Sequence, residues 1–323
     1  MPRALLKFAA TLSIAWLAWP AMPAFADYAD RPVTAIVPFA AGGAVDLFAR
    51  LFTPHLSRAL GQPVVVENKP GADAIIGITA VATAKPDGYT ILFSAGAERL
   101  APALHRKLPY DPVKQIVPIA ELAYTPNAIA VSSKLGVSTV AELVTLAKRN
   151  PGKLNAAVSG NGGRMSVELF KIETGTQIAI VSFSGGGQVI TSLMGGETDL
   201  TISDSLSFAA AGESDRMKVL AVAGDRRVPA MPKVPTTTEA GFPDFKAGTV
   251  YGVYTTGGVP DEVVRRLYAE FDKIVANPDV VRELAKIGVE PSTKTQAAFR
   301  QDYLDQLKMW KELVDRANIP TTD

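Results

Sequence analysis

An α/β fold built on parallel sheets is the architecture this sequence predicts, and three observations carry the prediction. Short β-branched runs alternate with helically spaced apolar residues through most of the chain. Several of these runs end in Gly, Ser or Asn just before a helix begins, and such strand ends are where open α/β sheets bind ligands. Apolar residues make up 47% of the 323, enough to fill one large domain or two ordinary ones. The fold must rest on that core, because the absence of cysteine removes disulfides, thiolate metal sites and cysteine nucleophiles together.

The elements follow in order. Residues 33–37 read as a strand, 38–43 as a loop and 46–60 as a helix, with Leu47, Leu51 and Leu60 among its apolar positions and Gly61 as its stop. A second unit has a strand at 64–67, a turn at 68–71, a helix at 75–84 and a strand at 90–94 behind Pro86-Asp87-Gly88. The middle of the chain has a strand at 128–132, a helix at 139–149 capped by Ser138, and a strand at 154–158 that runs into a loop at 159–163. Then come a helix at 165–175, a strand at 178–183, a helix at 188–194 and strands at 199–202 and 219–223. A proline-rich stretch over 228–243 precedes a strand at 248–255, and helices at 261–277, 278–287 and 296–317 complete the chain.

The first 26 residues have a different character. Arg3 and Lys7 precede an apolar run over 8–19, and Ala24-Phe25-Ala26 offers small residues at the two positions a signal peptidase reads. Residues 1–26 are therefore read as a secretory signal cleaved before Asp27; the run is shorter than the roughly 20 residues a bilayer span needs. Charge is balanced, at 33 basic against 32 acidic residues, and loss of the signal leaves 31 basic. Nucleic-acid binding is not expected without a basic excess or stripe.

Three glycine-bearing loops stand between an expected strand and an expected helix: Phe39-Ala40-Ala41-Gly42-Gly43, Ser159-Gly160-Asn161-Gly162-Gly163 and Ser184-Gly185-Gly186-Gly187. Free backbone N–H groups and the helix dipole would face an anion there. One such loop alone reads as a tight βα turn; three in one chain point to an anion site. None has the Gly-Lys-Ser/Thr of a phosphate loop or the dinucleotide Gly-x-Gly-x-x-Gly, so a nucleotide is not expected. No Gly-x-Ser-x-Gly elbow or Ser-x-x-Lys pair occurs, and His55 and His105, the only histidines, are read as structural or surface residues. No His or carboxylate cluster has metal-ligand spacing. No catalytic residue, metal or cofactor is assigned.

Four charged positions have readings of their own. Arg164 closes the second glycine loop, where a guanidinium could grip a carboxylate with two prongs; a cation at a helix N-terminus is unfavourable, and an exposed or ion-paired side chain is the alternative. Glu98 and Arg99 are read as a solvated loop pair, with a place at the cleft border as the alternative. Asp46 suits the dipole of its helix, and Asp204 either caps a helix or accepts a hydrogen bond from ligand or water.

Several segments, in order through nearly the whole mature chain, resemble one family. They are Arg31-Pro32-Val33, the run from Val37 to Gly43 with Asp46 after it, the run from Leu60 to Ala72 containing Glu67-Asn68-Lys69-Pro70-Gly71, Pro86-Asp87-Gly88-Tyr89-Thr90, Leu108-Pro109-Tyr110-Asp111-Pro112, Glu168-Leu169-Phe170 and Glu239-Ala240-Gly241-Phe242-Pro243. The sequence resembles the solute receptors of tripartite tricarboxylate transporters, the Bug receptors. That resemblance implies a type II periplasmic binding-protein fold, with two α/β lobes and a hinge cleft. Lobe 1 would comprise 27–125 plus 248–323, and lobe 2 would comprise 126–247, with crossings near 124–127 and 245–249.

The resemblance also implies a ligand carboxylate held by main-chain groups. At matching positions it points to Phe39, Ala40, Ala41, Gly42 and Gly43, with Ala72, Ser94 and Gly96 nearby, and from lobe 2 to Ser159, Asn161, Phe183, Ser184, Gly185 and Asp204. Arg164 joins them as a candidate for the distal end. The implied partners are a small di- or tricarboxylate or an aromatic carboxylate, and the membrane permease, with a signalling kinase or a periplasmic enzyme as the alternatives. The implied receptor is a periplasmic monomer. Departures from the family pattern lie at Ala40-Ala41, where Pro-Pro is usual, at a shortened 159–164 loop with Arg164 in place of histidine, and at Val250 in place of tryptophan.

Overall fold

A computed structural model describes residues 28–212, 214–287 and 289–322; the expected signal segment lies outside the described residues. The strands are β1 (Val33–Val37), β2 (Val64–Asn68), β3 (Thr90–Ser94), β4 (Val117–Ser132), β5 (Asn155–Ser159), β6 (Ala179–Phe183), β7 (Leu200–Asp204), β8 (Met217–Val222) and β9 (Gly248–Thr255). They form one continuous sheet in the order β2-β1-β3-β9-β4-β7-β5-β6, with β8 also on β4. β1 pairs in parallel with β2 and β3, and β5 with β6 and β7, whereas β9 runs antiparallel to β3 and β4.

β4 makes one sheet serve two lobes. Its first part, up to Pro126, pairs with β9, and its second part, from Asn127, pairs with β7 and β8. The change of pairing partners falls at Pro126–Asn127, opposite Ala247–Gly248. The Asn127 N–H donates to the Ala247 carbonyl at 2.8 Å, fastening the two crossings side by side.

Parallel strands need crossover helices, and these cover both faces of each half-sheet. The helices are α1 (Ala44–Leu60), α2 (Ile75–Ala82), α3 (Ala97–Leu104), α4 (Val140–Arg149), α5 (Gly160–Thr174), α6 (Gly186–Gly195), α7 (Ser205–Ala211), α8 (Asp261–Val275), α9 (Pro278–Lys286) and α10 (Gln296–Arg316). Alternate strand residues point to opposite faces. In lobe 1, Val33, Ala35, Val37, Ile91 and Phe93 pack against Phe52 and Leu56 of α1 and Leu267 and Phe271 of α8. Ile36 and Leu92 face the other way, onto Ile78 of α2 and Phe299 and Tyr303 of α10. In lobe 2, Ile129 and Val131 meet Leu143 of α4 and Phe170 of α5, while Ala128 and Ala130 meet Leu193 of α6 and Phe208 of α7. The α4–α5 cluster continues into Leu100 of α3 and Leu313 and Val314 of α10, so these two helices reach across to lobe 2.

Several boundaries differ from the sequence expectation for identifiable reasons. The cap of α4 is Thr139, not Ser138: Thr139 Oγ1 accepts from the Glu142 N–H at 3.1 Å, and Glu142 Oε2 accepts from the N–H of the preceding Ser138 at 2.6 Å, a variant of the capping box. Residues 160–163, expected as a loop, are the first turn of α5. Burial of Met165, Val167 and Phe170 outweighs a glycine cost of about 1 kcal/mol per residue. α3, α7 and the first part of β4 were not expected. Pro102 together with Glu98 and Arg99 masks the apolar spacing of α3, and Pro118 and Pro126 interrupt β4, whose pairing with β9 also shifts register twice.

Glu98 and Arg99 correct the solvated-pair expectation: both side chains are fully buried under α10. Arg99 donates to Glu98 Oε1 at 3.2 Å, to Asp302 Oδ2 at 2.7 Å and to the Tyr254 hydroxyl, which itself donates to Glu98. The guanidinium also lies over the Phe299 ring, 5.1 Å from its centroid. A buried ion group is costly to break because the surviving charges lose their partner. Arg99→Met should lower stability by about 3–5 kcal/mol, read as a lower midpoint in urea unfolding. An unchanged midpoint would show that the cluster does not brace lobe 1.

Candidate functional site

The C-terminal ends of β1, β3, β5 and β7 converge on a cavity of about 410 Å³ between the lobes. Lobe 1 lines it with Phe39, Asp73, the Ala95–Ala97 turn, one side of α3 and Gln306 and Trp310 of α10; lobe 2 contributes 159–163, Ser166, Ser203 and Asp204. Asn127 and 248–250 form the wall at the crossings. A second depression of about 500 Å³ lies behind the crossing strands, lined by Tyr124, Thr125, Lys246 and Glu290 among others, and shares no residue with the first. The N-termini of α3 and α5 and the ends of β1, β3, β5 and β7 meet in the first, which makes it the candidate site.

The first loop is built around Asp46. This carboxylate is 2% exposed; its Oδ2 accepts from the Gly42 N–H at 2.8 Å and from Arg50 Nε at 2.9 Å. Its Oδ1 accepts from the Asn68 amide at 3.0 Å, and the same amide donates to the Phe39 carbonyl at 3.0 Å. The Arg50 hydrogen bond, followed by that of the Gly42 N–H, lowers its pKa from 3.8 to about 2, against the opposing effect of burial. Asp46 thus does more than match a helix dipole: it ties the loop 39–42 to β2. Gly42 adopts φ +80°, where a side chain would be strained. The N–H groups of Ala40 and Ala41 have no partner among the described residues.

The next turn of lobe 1 is strained. Ala72, Asp73 and Ala74 are consecutive non-glycine residues at φ +46°, +51° and +76°. Left-handed conformations of this kind cost on the order of 1–2 kcal/mol each, and they cluster at functional sites. The turn brings Asp73 to the cavity wall, and Gly77 behind it permits close approach, since a Cβ there would sit 2.7 Å from Pro38.

α3 from lobe 1 and α5 from lobe 2 both begin at the cavity, at Gly96–Ala97 and Ser159–Gly160. Unsatisfied N–H groups and the positive ends of two helix dipoles therefore face the same space, an arrangement that favours an anion. Asp204 lines the cavity with both oxygens engaged: Oδ2 accepts from Thr125 Oγ1 at 2.7 Å and Oδ1 from the Leu206 N–H at 2.8 Å, so it does cap α7. Burial raises its pKa above the usual carboxylate value, against those two hydrogen bonds. Asn127 Nδ2 donates to Ser166 Oγ at 2.8 Å, joining the crossing strand to α5.

Of the residues singled out from sequence, Phe39, Gly96, Ser159, Asn161 and Asp204 line this cavity. Ala40, Ala41, Gly42 and Gly43 form the exposed rim beside Phe39. Ala72 adjoins the lining residue Asp73, and Ser94 is buried beneath Ala95 with no partner for its hydroxyl. Arg164 is half-buried in the second turn of α5 and does not line the cavity. Phe183, Ser184 and Gly185 stand apart at the end of β6, where Ser184 pairs with Gln188. Sequence reasoning missed Asn127, Gln306 and Trp310, and it read His105 as structural or surface. His105 lines the cavity at the end of α3, a helix that had no readable signal.

The family model described as the tripartite tricarboxylate transporter family receptor matches residues 48–319. This chain belongs to that family. It is 30% identical to the protein BugT of Bordetella pertussis over 88% of this chain and 88% of that protein. An R. palustris protein solved with adipate is 30% identical, with 91% of this chain and 100% of that one covered and a TM-score of 0.76. MatC from Rhodopseudomonas palustris, solved with bound malate, is 30% identical over 89% of this chain and 100% of that one, with a TM-score of 0.74.

The Asp46 cluster has a pH signature. A carboxylate whose folded pKa lies near 2 against an ordinary 3.8 stabilises the fold above pH 3.8, and that contribution disappears as the pH falls through about 2. Asp46→Asn should lose about 1.5–3 kcal/mol at neutral pH and show a shallower fall in stability between pH 4 and pH 2, followed by urea unfolding at each pH. Parallel pH profiles for the two proteins would count against this role.

Proposed function

We propose that this protein is a periplasmic solute receptor that closes its two lobes on a small carboxylate and delivers it to a tripartite tricarboxylate-type membrane permease. The observation that carries this reading is the meeting of two helix N-termini, one from each lobe, in a single interlobe cavity. Relatives of about 30% identity solved with adipate and malate support the carboxylate class. The family supports a receptor rather than a catalyst, so no bond is made or broken. Export through the segment 1–26 belongs to the same reading. Among the described residues, no helix is long and apolar enough to cross a membrane.

In this reading lobe 1 comprises 27–125 plus 248–323, lobe 2 comprises 126–247, and the crossings beside Asn127 act as the hinge. The ligand's first carboxylate sits against Phe39, Gly96, Ser159 and Asn161. Closure then brings in the exposed rim at 40–43 and the β6 end at 183–185. Binding that engages both lobes favours the closed form by its differential affinity alone, and the permease recognises that form.

Trp310 is a built-in reporter. The sequence has three tryptophans, and Trp16 and Trp19 fall within the signal segment, so a chain beginning at Asp27 keeps only the one on the cavity wall. A true ligand should change its fluorescence saturably and raise the melting temperature by mass action. If only uncharged solutes do both, the carboxylate reading is wrong; if a carboxylate is turned over to product, the receptor reading is wrong.

A further inference from the structure

The cavity is not symmetrical about its anion-favouring end. From Gly96–Ala97 it continues beside α3, past Leu100 and Leu104, with Trp310 of α10 also on its wall, and it reaches His105 and Gln306. Eight helical residues rise about 12 Å, so His105, at the C-cap of α3, lies well away from the N-terminus of that helix. His105 is the only basic side chain among the described residues lining this cavity. The C-terminal strand-like segment holds it in position. Thr322 N–H donates to the Leu104 carbonyl at 2.9 Å, the Arg106 N–H donates to the Thr322 carbonyl at 2.8 Å, and Thr322 Oγ1 lies 2.9 Å from His105 Nδ1. With Nδ1 so engaged, Nε2 is the nitrogen left for a ligand.

We propose that His105 is the distal recognition site, and that the ligand is an elongated dicarboxylate with an apolar middle of about six to eight carbons. This rests on the receptor reading above and extends it. At bond lengths near 1.5 Å, a four-carbon dicarboxylate anchored at the helix N-termini stops short of His105, whereas an eight-carbon one reaches it. Its methylenes lie along Leu100, Leu104 and Trp310, where burial of apolar surface adds affinity. The second carboxylate then accepts a hydrogen bond from the imidazole. Arg164, which does not line the cavity, has no part in this contact.

Suberate and octanoate have the same chain length and differ only in the distal carboxylate, so their comparison isolates this site. In titration calorimetry the protein should bind suberate at least about ten-fold more tightly than octanoate, the scale of one charge-assisted hydrogen bond. His105→Ala should abolish that difference while leaving octanoate unchanged, and His105→Gln, which keeps a donor, should restore part of it. Succinate binding should be insensitive to either change, and circular dichroism would establish that both variants are folded. Equal affinities for suberate and octanoate in the unmodified protein, or equal losses for both in His105→Ala, would overturn the distal site but leave the carboxylate reading intact. No binding by any of the three would overturn both.

Discussion

Both lobes hang on one pair of antiparallel strands. β4 changes pairing partners between Pro126 and Asn127, with Ala247 beside it, and the hydrogen bond from the Asn127 N–H to the Ala247 carbonyl extends the β4–β9 ladder there. Because β4 pairs with β9 on one side of this point and with β7 and β8 on the other, a rotation of the lobes has to be taken up over very few residues. The same point forms a wall of the cavity. Asn127 reaches Ser166 on α5, and Thr125, which faces the depression behind the crossings, holds Asp204, which faces the cavity. Lobe geometry and candidate site are thus built from the same residues.

The site works mainly with main-chain charge. Helix N-termini supply fixed partial positive charge from each lobe, and the loops are braced from behind: Asp46 holds the first through the Gly42 N–H and through Asn68, which also reaches the Phe39 carbonyl, and Gly77 lets α2 pack tightly under Pro38. Side-chain cations are kept elsewhere. Arg99, for instance, is consumed by Glu98, Asp302 and Tyr254 inside lobe 1. Oriented dipoles of this kind bind an anion without burying a full compensating charge, which suits a receptor that must also release its cargo.

Much of the fold was legible because local signals were consistent. β1, β3 and β9 have the bounds that apolar runs and turn residues indicated, and α1 stops at Gly61, which takes the left-handed conformation that only glycine adopts easily. Legibility failed where local and tertiary signals diverged. α3 contains two charged residues that are normally exposed, and its helix is buried because those charges pair with one another and with Asp302 beneath α10. The first turn of α5 is four-residue glycine-rich sequence that reads as a loop, yet it is held helical by the buried residues that follow.

By itself the sequence determined most of the succession of strands and helices, the glycine-bearing strand ends and the family, since each is written in short contiguous patterns. Only the tertiary structure decided which strand ends share a cavity. Phe39, Gly96, Ser159 and Asp204 meet because β4 and β9 set the lobes face to face, while Arg164 falls in the second turn of a helix that starts five residues earlier than expected and is not among the lining residues. His105 and Trp310, more than 200 residues apart, come together because α10 and the C-terminal segment fold back over α3. Contacts of that range depend on packing between whole elements, which no local pattern records.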